Sequence, residues 1–417
     1  MRPQVVRLDS HIWLGRYSPA TQGCNTAPGR AADALGRNAC LPYASIRTGR
    51  FRGAHMQIHV REAMTPYQRL CATLAHRRPD RVPLEIMAAD GVIESLQMHT
   101  GAQTKEELLV RLGVDFRRVD IAIGKQQPIP LQAVERYGSQ GSLSVSPYGV
   151  VLLRHPNFPQ GHRVYGPFYG TEDLDSFDWP DRGSVLPPES MATETERLNR
   201  AGFCTVTGCD NPFKLAYFMR PYEEFLIDCL VRPDYAVALL RRIAAVEFTR
   251  AENGVRAGAR CAMIFGDFAH QQALMVSPEV FRRVLRPLLV EFVSRLKAIN
   301  PGVFVFLHSD GDLGAVLQDL IDCGFAAVHP IQPECMDMAA VKRQYGHAFT
   351  LFGGVSVQSE LPRSKPAVIR RIVRERIEQL GRDGGFILAP TNTLIEDVPL
   401  ESILAMYDEA RALPSVP

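Results

Sequence analysis

The chain has 417 residues, with 47 Lys and Arg against 45 Asp and Glu, for a net charge of +2. That balance supplies no bulk field to concentrate nucleic acid or anionic lipid, and no apolar run approaches the roughly 20 residues needed to cross a bilayer. The nine cysteines are odd in number and form no CxxC pair, which fits neither a disulfide framework nor a zinc knuckle. These features predict a cytoplasmic protein, monomer or homodimer, whose partner is a small molecule rather than nucleic acid or a membrane.

Residues 1–55 are rich in Arg, Gly and Ala and carry no sustained periodicity, so they bury too little apolar surface to offset their ordering entropy. They are expected to be a disordered extension or a misplaced gene start, with Met56 or Met64 as initiator. The folded domain is assigned to 56–417. Regular structure begins at Thr65-Pro66, an N-cap followed by proline at the first helical position, with Tyr67, Leu70, Cys71 and Leu74 at helical spacing. The run Arg81 to Met87 reads as a first buried strand, and Thr104 to Leu112 as a helix whose Glu106 and Glu107 suit a positive N-terminus. Between about 126 and 188 the sequence turns rich in Pro, Gly and Tyr. Ser146-Pro147-Tyr148-Gly149-Val150-Val151 predicts short antiparallel strands there, an insertion over a barrel mouth.

From Phe203 onward short apolar runs alternate with long amphipathic segments. Phe203–Val206, Cys261–Phe265, Val303–Leu307, Ala326–Val328, Phe349–Phe352 and Phe386–Ala389 have the continuous apolarity of strands buried on both faces. Strand, crossover helix and strand in repetition give a parallel sheet, and the even spacing favours an α/β fold of the (β/α)8 TIM-barrel type over an open doubly wound sheet.

In such barrels the polar residues just after each strand line the active face. Gly266-Asp267 and His308-Ser309-Asp310-Gly311-Asp312 nominate Asp267, His308 and Asp310 as catalytic. A carboxylate, an imidazole and a second carboxylate on neighbouring strand ends suit either acid/base partners or an oxygen/nitrogen metal site, and the sequence leaves both open. Asp312 reads as the cap of a helix near Leu313. Asp210, His329, Gln332, Gln358 and Asn392 are candidate substrate-binding residues. Cys204 and Cys209 read as small hydrophobes.

These segments carry a resemblance. Ile264-Phe265-Gly266-Asp267, Val276 to Arg283, His308 to Asp312, Pro330-Ile331-Gln332-Pro333, Phe352-Gly353-Gly354-Val355 and Gly384 to Pro390 resemble the uroporphyrinogen decarboxylase superfamily, as does Phe177 to Asp181, with coverage from about Thr65 to Ala412. That superfamily holds decarboxylases and methyltransferases, so the fold does not fix the reaction. The arginine-rich segment of true decarboxylases is replaced by Met87-Ala88-Ala89-Asp90-Gly91, and a histidine near the last strand by Asn392-Thr393. In the thiol-methylating branch a His-x-Cys pair and a further Cys hold zinc, and the matching places here are His308, Asp310 and Asn392. The resemblance therefore implies a corrinoid-linked methyltransferase acting on a small O- or N-methylated substrate. Its corrinoid would be carried by a partner protein, and His308 and Asp310 would hold zinc or another divalent metal. The alternative it implies is a decarboxylase, a lyase acting on a carboxylated or tetrapyrrole substrate.

Overall fold

A computed structural model describes residues 63–155, 158–187 and 189–413. The expectation for residues 1–55 lies outside them. Among the described residues ten strands form two sheets. β1 (Phe116–Arg118), β5 (Cys204–Asp210), β6 (Cys261–Phe265), β7 (Phe304–His308), β8 (Ala327–Ile331), β9 (Thr350–Val355) and β10 (Phe386–Pro390) make a parallel seven-stranded sheet in that order. β2 (Ser142–Val145), β3 (Val151–His155) and β4 (Phe158–Tyr165) make a separate antiparallel sheet, as the turn-rich stretch predicted.

The parallel sheet curls. Phe116 on β1 and Phe352 on β9 stand five places apart in the strand order, yet their rings stack with centroids 5.8 Å apart, and Phe306 on β7 meets both edge-on at 6.4 and 6.1 Å. A flat sheet would hold β1 and β9 more than 20 Å apart, at about 4.8 Å per strand. Side chains from separate strands that meet in the interior are what a sheet curled in the manner of a TIM-type barrel requires. Truncating Phe352 to Ala in this layer would cost about 3–5 kcal/mol through lost burial and the cavity left behind.

The run Arg81 to Met87 is buried as expected, but it is not a regular strand. Leu84 and Ala88 make only isolated bridges, to Leu388 and Leu394. The cause is local: Pro83 has no N–H to give a ladder, so only its carbonyl takes part, accepting from Leu388 N at 3.0 Å. Glu85 N donates back to Leu388 O, and Asp115 N, at the start of β1, donates to Leu84 O. The segment thus bonds to β10 on one side and to β1 on the other.

The helices follow the sequence signals with altered bounds. Pro66–Leu74 starts with Thr65 and Gln68 in a reciprocal capping box, and Lys105–Leu112 is capped by Thr104. The crossover helices Pro233–Arg256 and Pro366–Leu380 open with proline in the first turn and bury one face on the sheet. The segment read as one helix from Phe281 is a π-helical turn, Phe281–Leu285, running into Arg286–Ile299, where Pro287 cannot donate the usual bond. Among the described residues no helix is long and apolar enough to cross a membrane.

The antiparallel sheet is tied to helices on the carboxyl side of β5. Tyr148 Oη donates to Glu247 Oε1 at 2.7 Å, and Phe168 N donates to Met219 O at 2.9 Å. Glu247 Oε2 also accepts from Asp210 N at 2.8 Å, so one buried carboxylate links the turn between β2 and β3 to the end of β5.

Candidate metal centre

Parallel register sets the site. β6 and β7 pair Phe265 with His308, and β7 and β8 pair His308 with His329, so the residues that leave these strands emerge side by side at their carboxyl ends. Gly266 follows Phe265 with φ of 149°, and a Cβ there would meet the Cβ atoms of Asn211 and Lys214 at 2.7 Å. This close approach places Asp267 under the loop after β7. Gly311 has φ of 94°, and a Cβ would lie 2.5 Å from His270 O, so only glycine lets the chain turn immediately after Asp310.

Backbone N–H groups and side chains then lock the loop. Asp310 N donates to Asp267 Oδ1 at 2.9 Å, Phe268 N to Ser309 Oγ at 3.0 Å, and Gly311 N to Gln332 Oε1 at 2.6 Å. Asn392, after β10, donates through Nδ2 to Asp310 Oδ2, while its own Oδ1 accepts from Thr393 N at 2.6 Å. Asp312 is not part of this set; its Oδ1 accepts from Gly314 N in a local turn, but the cap position of Gly314–Val316 is Leu313, so the helix-capping role expected of Asp312 is not the one it takes.

What remains is a converging set of acceptors. Asp267, His308 and Asp310 each offer an atom within 4.8 Å of the others, the one such group of possible metal ligands among the described residues. His308 Nε2 stands 3.9 Å from Asp310 Oδ1, and that oxygen is buried with no hydrogen-bond partner. Burial raises the Asp267 carboxyl above its ordinary range, and burial together with the neighbouring Asp267 charge raises Asp310 well above it. Burial, then His329, lowers His308 well below its ordinary value. Each of these groups is pushed toward neutrality, as expected where like charges and lone pairs crowd without a cation. The donor set consists of oxygens and a nitrogen, which suits a hard or borderline divalent cation such as zinc, magnesium or manganese.

The remaining nominated residues take different places. His329 is fully buried, its Nδ1 2.8 Å from His308 Nδ1 and its Nε2 3.0 Å from Pro390 O. Gln332 is buried and holds Gly311. Asp210 binds Lys214 Nζ at 3.2 Å and Arg250 Nη1 at 3.3 Å. Gln358 is exposed, accepting from Gln271 Nε2 at 2.7 Å. The cysteines Cys204 and Cys209 are buried, and burial pushes their thiols up, as suits packing residues.

Three groups escaped the sequence reading. Lys214, buried on the helix Pro212–Met219, acts electrostatically on Asp267, His308 and Asp310. Tyr217, on the same helix, is raised well above its ordinary value by burial and then by Asp267. Glu85 is buried with Oε2 unpartnered and its carboxyl pushed up to about 7, first by burial, against the lowering effect of Arg118. The Asp210 to Lys214 spacing of one helical turn was a signal for the first; nothing local marked Glu85.

The sequence matches the uroporphyrinogen decarboxylase (URO-D) family over residues 171–413. It is similar to the methylcobamide:CoM methyltransferase MtaA of Methanosarcina barkeri, 26% identical over 202 residues that make up 48% of this chain and 56% of that protein. The same protein from Methanosarcina barkeri strain Fusaro matches at the same identity and coverage. The chain therefore spans about half the length of the curated relatives it matches. Among solved structures, a methyltransferase from Methanosarcina mazei superposes with a TM-score of 0.57 at 20% identity, covering 84% of this chain and 99% of that one, a likeness of fold. With the family match reaching from just after β4 through every strand from β5 to β10, this chain belongs to the uroporphyrinogen decarboxylase family.

Proposed function

We propose that this protein is a corrinoid-linked methyltransferase that removes a methyl group from a small O- or N-methylated substrate, with Asp267, His308 and Asp310 holding zinc or another divalent cation. The observation that carries this reading is the buried, unpartnered Asp310 Oδ1 facing His308 Nε2 at 3.9 Å beside a second carboxylate. A cation satisfies all three groups at once. When bound it supplies a Lewis acid that draws electron density from the methylated heteroatom.

The chain's own residues do the rest. Asn392 and the Asp310 backbone N–H hold the two carboxylates in register, and Lys214 offsets part of their charge. The substrate's methyl group would pass to the reduced corrinoid of a partner protein as its bond to oxygen or nitrogen breaks, and the heteroatom would keep the electron pair, take a proton from solvent and leave as the alcohol or amine. The similarity to a methylcobamide-dependent enzyme supports this assignment, and the nitrogen/oxygen ligand set supports an ether or amine rather than a thiol as the substrate. The fold is read as a (β/α)8 barrel in which Pro83–Glu85 takes the eighth position and the β2–β4 sheet lies over the mouth.

The decarboxylase reading has less support, because the nearby cations Lys214 and Arg118 are already matched by Asp210 and Asp120. The test is to incubate the protein with reduced cobalamin and a panel of methyl ethers and methylamines, following the absorbance of methylcobalamin. Methyl transfer by the wild type, lost in His308→Ala, is expected. Unchanged turnover in that variant would sink the proposal.

A further inference from the structure

We propose that His329 is a positioning residue, which fixes the His308 ring so that the Nε2 lone pair faces Asp267 and Asp310. The inference rests on the reading of those three residues as a cation site. It follows from donor and acceptor bookkeeping along one line of buried atoms.

The Pro390 carbonyl can only accept, so His329 Nε2, 3.0 Å away, carries a hydrogen. His329 is fully buried, and a charged imidazolium there would be costly, so the ring is neutral and its Nδ1 holds a lone pair. That lone pair lies 2.8 Å from His308 Nδ1, which must therefore be the donor. A neutral His308 with its proton on Nδ1 has an unprotonated Nε2, the atom 3.9 Å from Asp310 Oδ1. The backbone of β10 thus determines, through two imidazoles, which nitrogen of His308 is free to bind a cation. A metal-bound histidine commonly donates its other N–H to a carbonyl or carboxylate that sets its tautomer. Here a second histidine stands in that place and passes on the polarity of a carbonyl one residue width away.

Packing holds the line rigid. The His308 and His329 rings lie with centroids 5.0 Å apart and 23° between their planes. Phe265 closes one side at 5.5 Å from His308, and Phe352 the other at 4.8 Å from His329. The two phenylalanines thus flank the imidazole pair on both sides. Both nitrogens of His329 are occupied within the protein, so its contribution runs through His308 rather than through direct contact with substrate.

The test compares cobalt(II) binding to chelator-stripped wild type, His329→Phe and His329→Asn, read as a dissociation constant and by the visible absorption of the bound ion. Phenylalanine keeps the ring volume and removes the acceptor; asparagine returns an acceptor oxygen near the position of Nδ1. Binding weaker by about 10–100-fold in His329→Phe, with most of the loss restored in His329→Asn, is expected. Equal affinity in wild type and His329→Phe would overturn the inference. If the wild type itself takes up no cobalt, the cation reading of the site falls instead, and the orientation claim is decided separately. Long-range proton–nitrogen NMR of the wild-type side chains then reads the tautomers without any substitution. Protonated Nδ1 on His308 with protonated Nε2 on His329 is expected, and protonated Nε2 on His308 would overturn it.

Discussion

Asn392 holds one oxygen of Asp310 and leaves the other bare: its Nδ2 donates to Oδ2, while Oδ1 is buried without a partner and faces His308 Nε2 at 3.9 Å. A single amide from the loop after the last strand thereby aims a carboxylate that follows β7, three places away from β10 in the sheet. Removing the amide in Asn392→Ala frees Asp310 to rotate toward solvent. Metal affinity should fall by about 10–100-fold, as is usual when the residue supporting a ligand is lost. Titration of the chelator-stripped variant with zinc checks this, and an unchanged dissociation constant would mean that the clamp is incidental.

Gly311 is a second point of control. With φ of 94° and His270 O 2.5 Å from where a Cβ would sit, Gly311→Ala combines left-handed strain with a clash against backbone. The two effects should cost about 1–3 kcal/mol or more. Chemical denaturation should show the lower midpoint, and the loop after β7 should lose protection from hydrogen exchange before the rest of the parallel sheet. A variant as stable as wild type would contradict the geometry.

Glu85 links stability to pH. Its folded-state pKa of about 7 lies above the ordinary 4.5, so the favourable contribution is fully present below 4.5 and is lost as pH rises through 7. The shift corresponds to roughly 3 kcal/mol once the carboxyl ionises in both states. Glu85→Gln, which carries no charge, should therefore match wild type near pH 4, gain on it between 4.5 and 7, and hold a constant advantage above. Thermal midpoints across that range read the difference. A difference independent of pH would show that Glu85 titrates normally in the folded protein.

Asp310 should behave in the same direction in the metal-free protein, since burial and Asp267 raise its carboxyl. Asp310→Asn is expected to be more stable than wild type at pH 8 in the presence of chelator, with the advantage vanishing at acid pH, while losing the stabilisation that zinc gives the wild type. Such an exchange of stability for function is common where a site concentrates like charges. Thermal unfolding with and without zinc separates the two effects, and equal zinc stabilisation of both proteins would remove Asp310 from the ligand set.

Several elements were legible in the sequence because local chemistry and tertiary role agree in them. Val303–Leu307 is apolar throughout and is followed at once by His308-Ser309-Asp310, so both the buried strand and its polar end could be read directly. Thr65-Pro66 announced a helix for the same reason. β1 was missed because Phe116-Arg117-Arg118 is short and two-thirds basic; Arg117 is tolerated in the interior only because it lies over the Phe203 ring at 3.9 Å and pairs with Glu106. The apolar pattern of Arg81 to Met87 predicts a strand, but Pro83 reduces it to isolated bridges. The role of His329 was also beyond local reading, since it depends on Pro390, 61 residues away. Asp267, His308 and Asp310 were nominated from strand-end position, and their convergence within 4.8 Å is a tertiary fact.

Elemental analysis of the purified protein, with His308→Ala and Asp310→Ala prepared in parallel, tests the central claim most directly. The wild type should carry close to one equivalent of zinc or another divalent metal per chain, and both variants should have lost it while remaining folded by circular dichroism. Metal retained at the wild-type level in both variants would contradict the assignment of Asp267, His308 and Asp310 as the cation site.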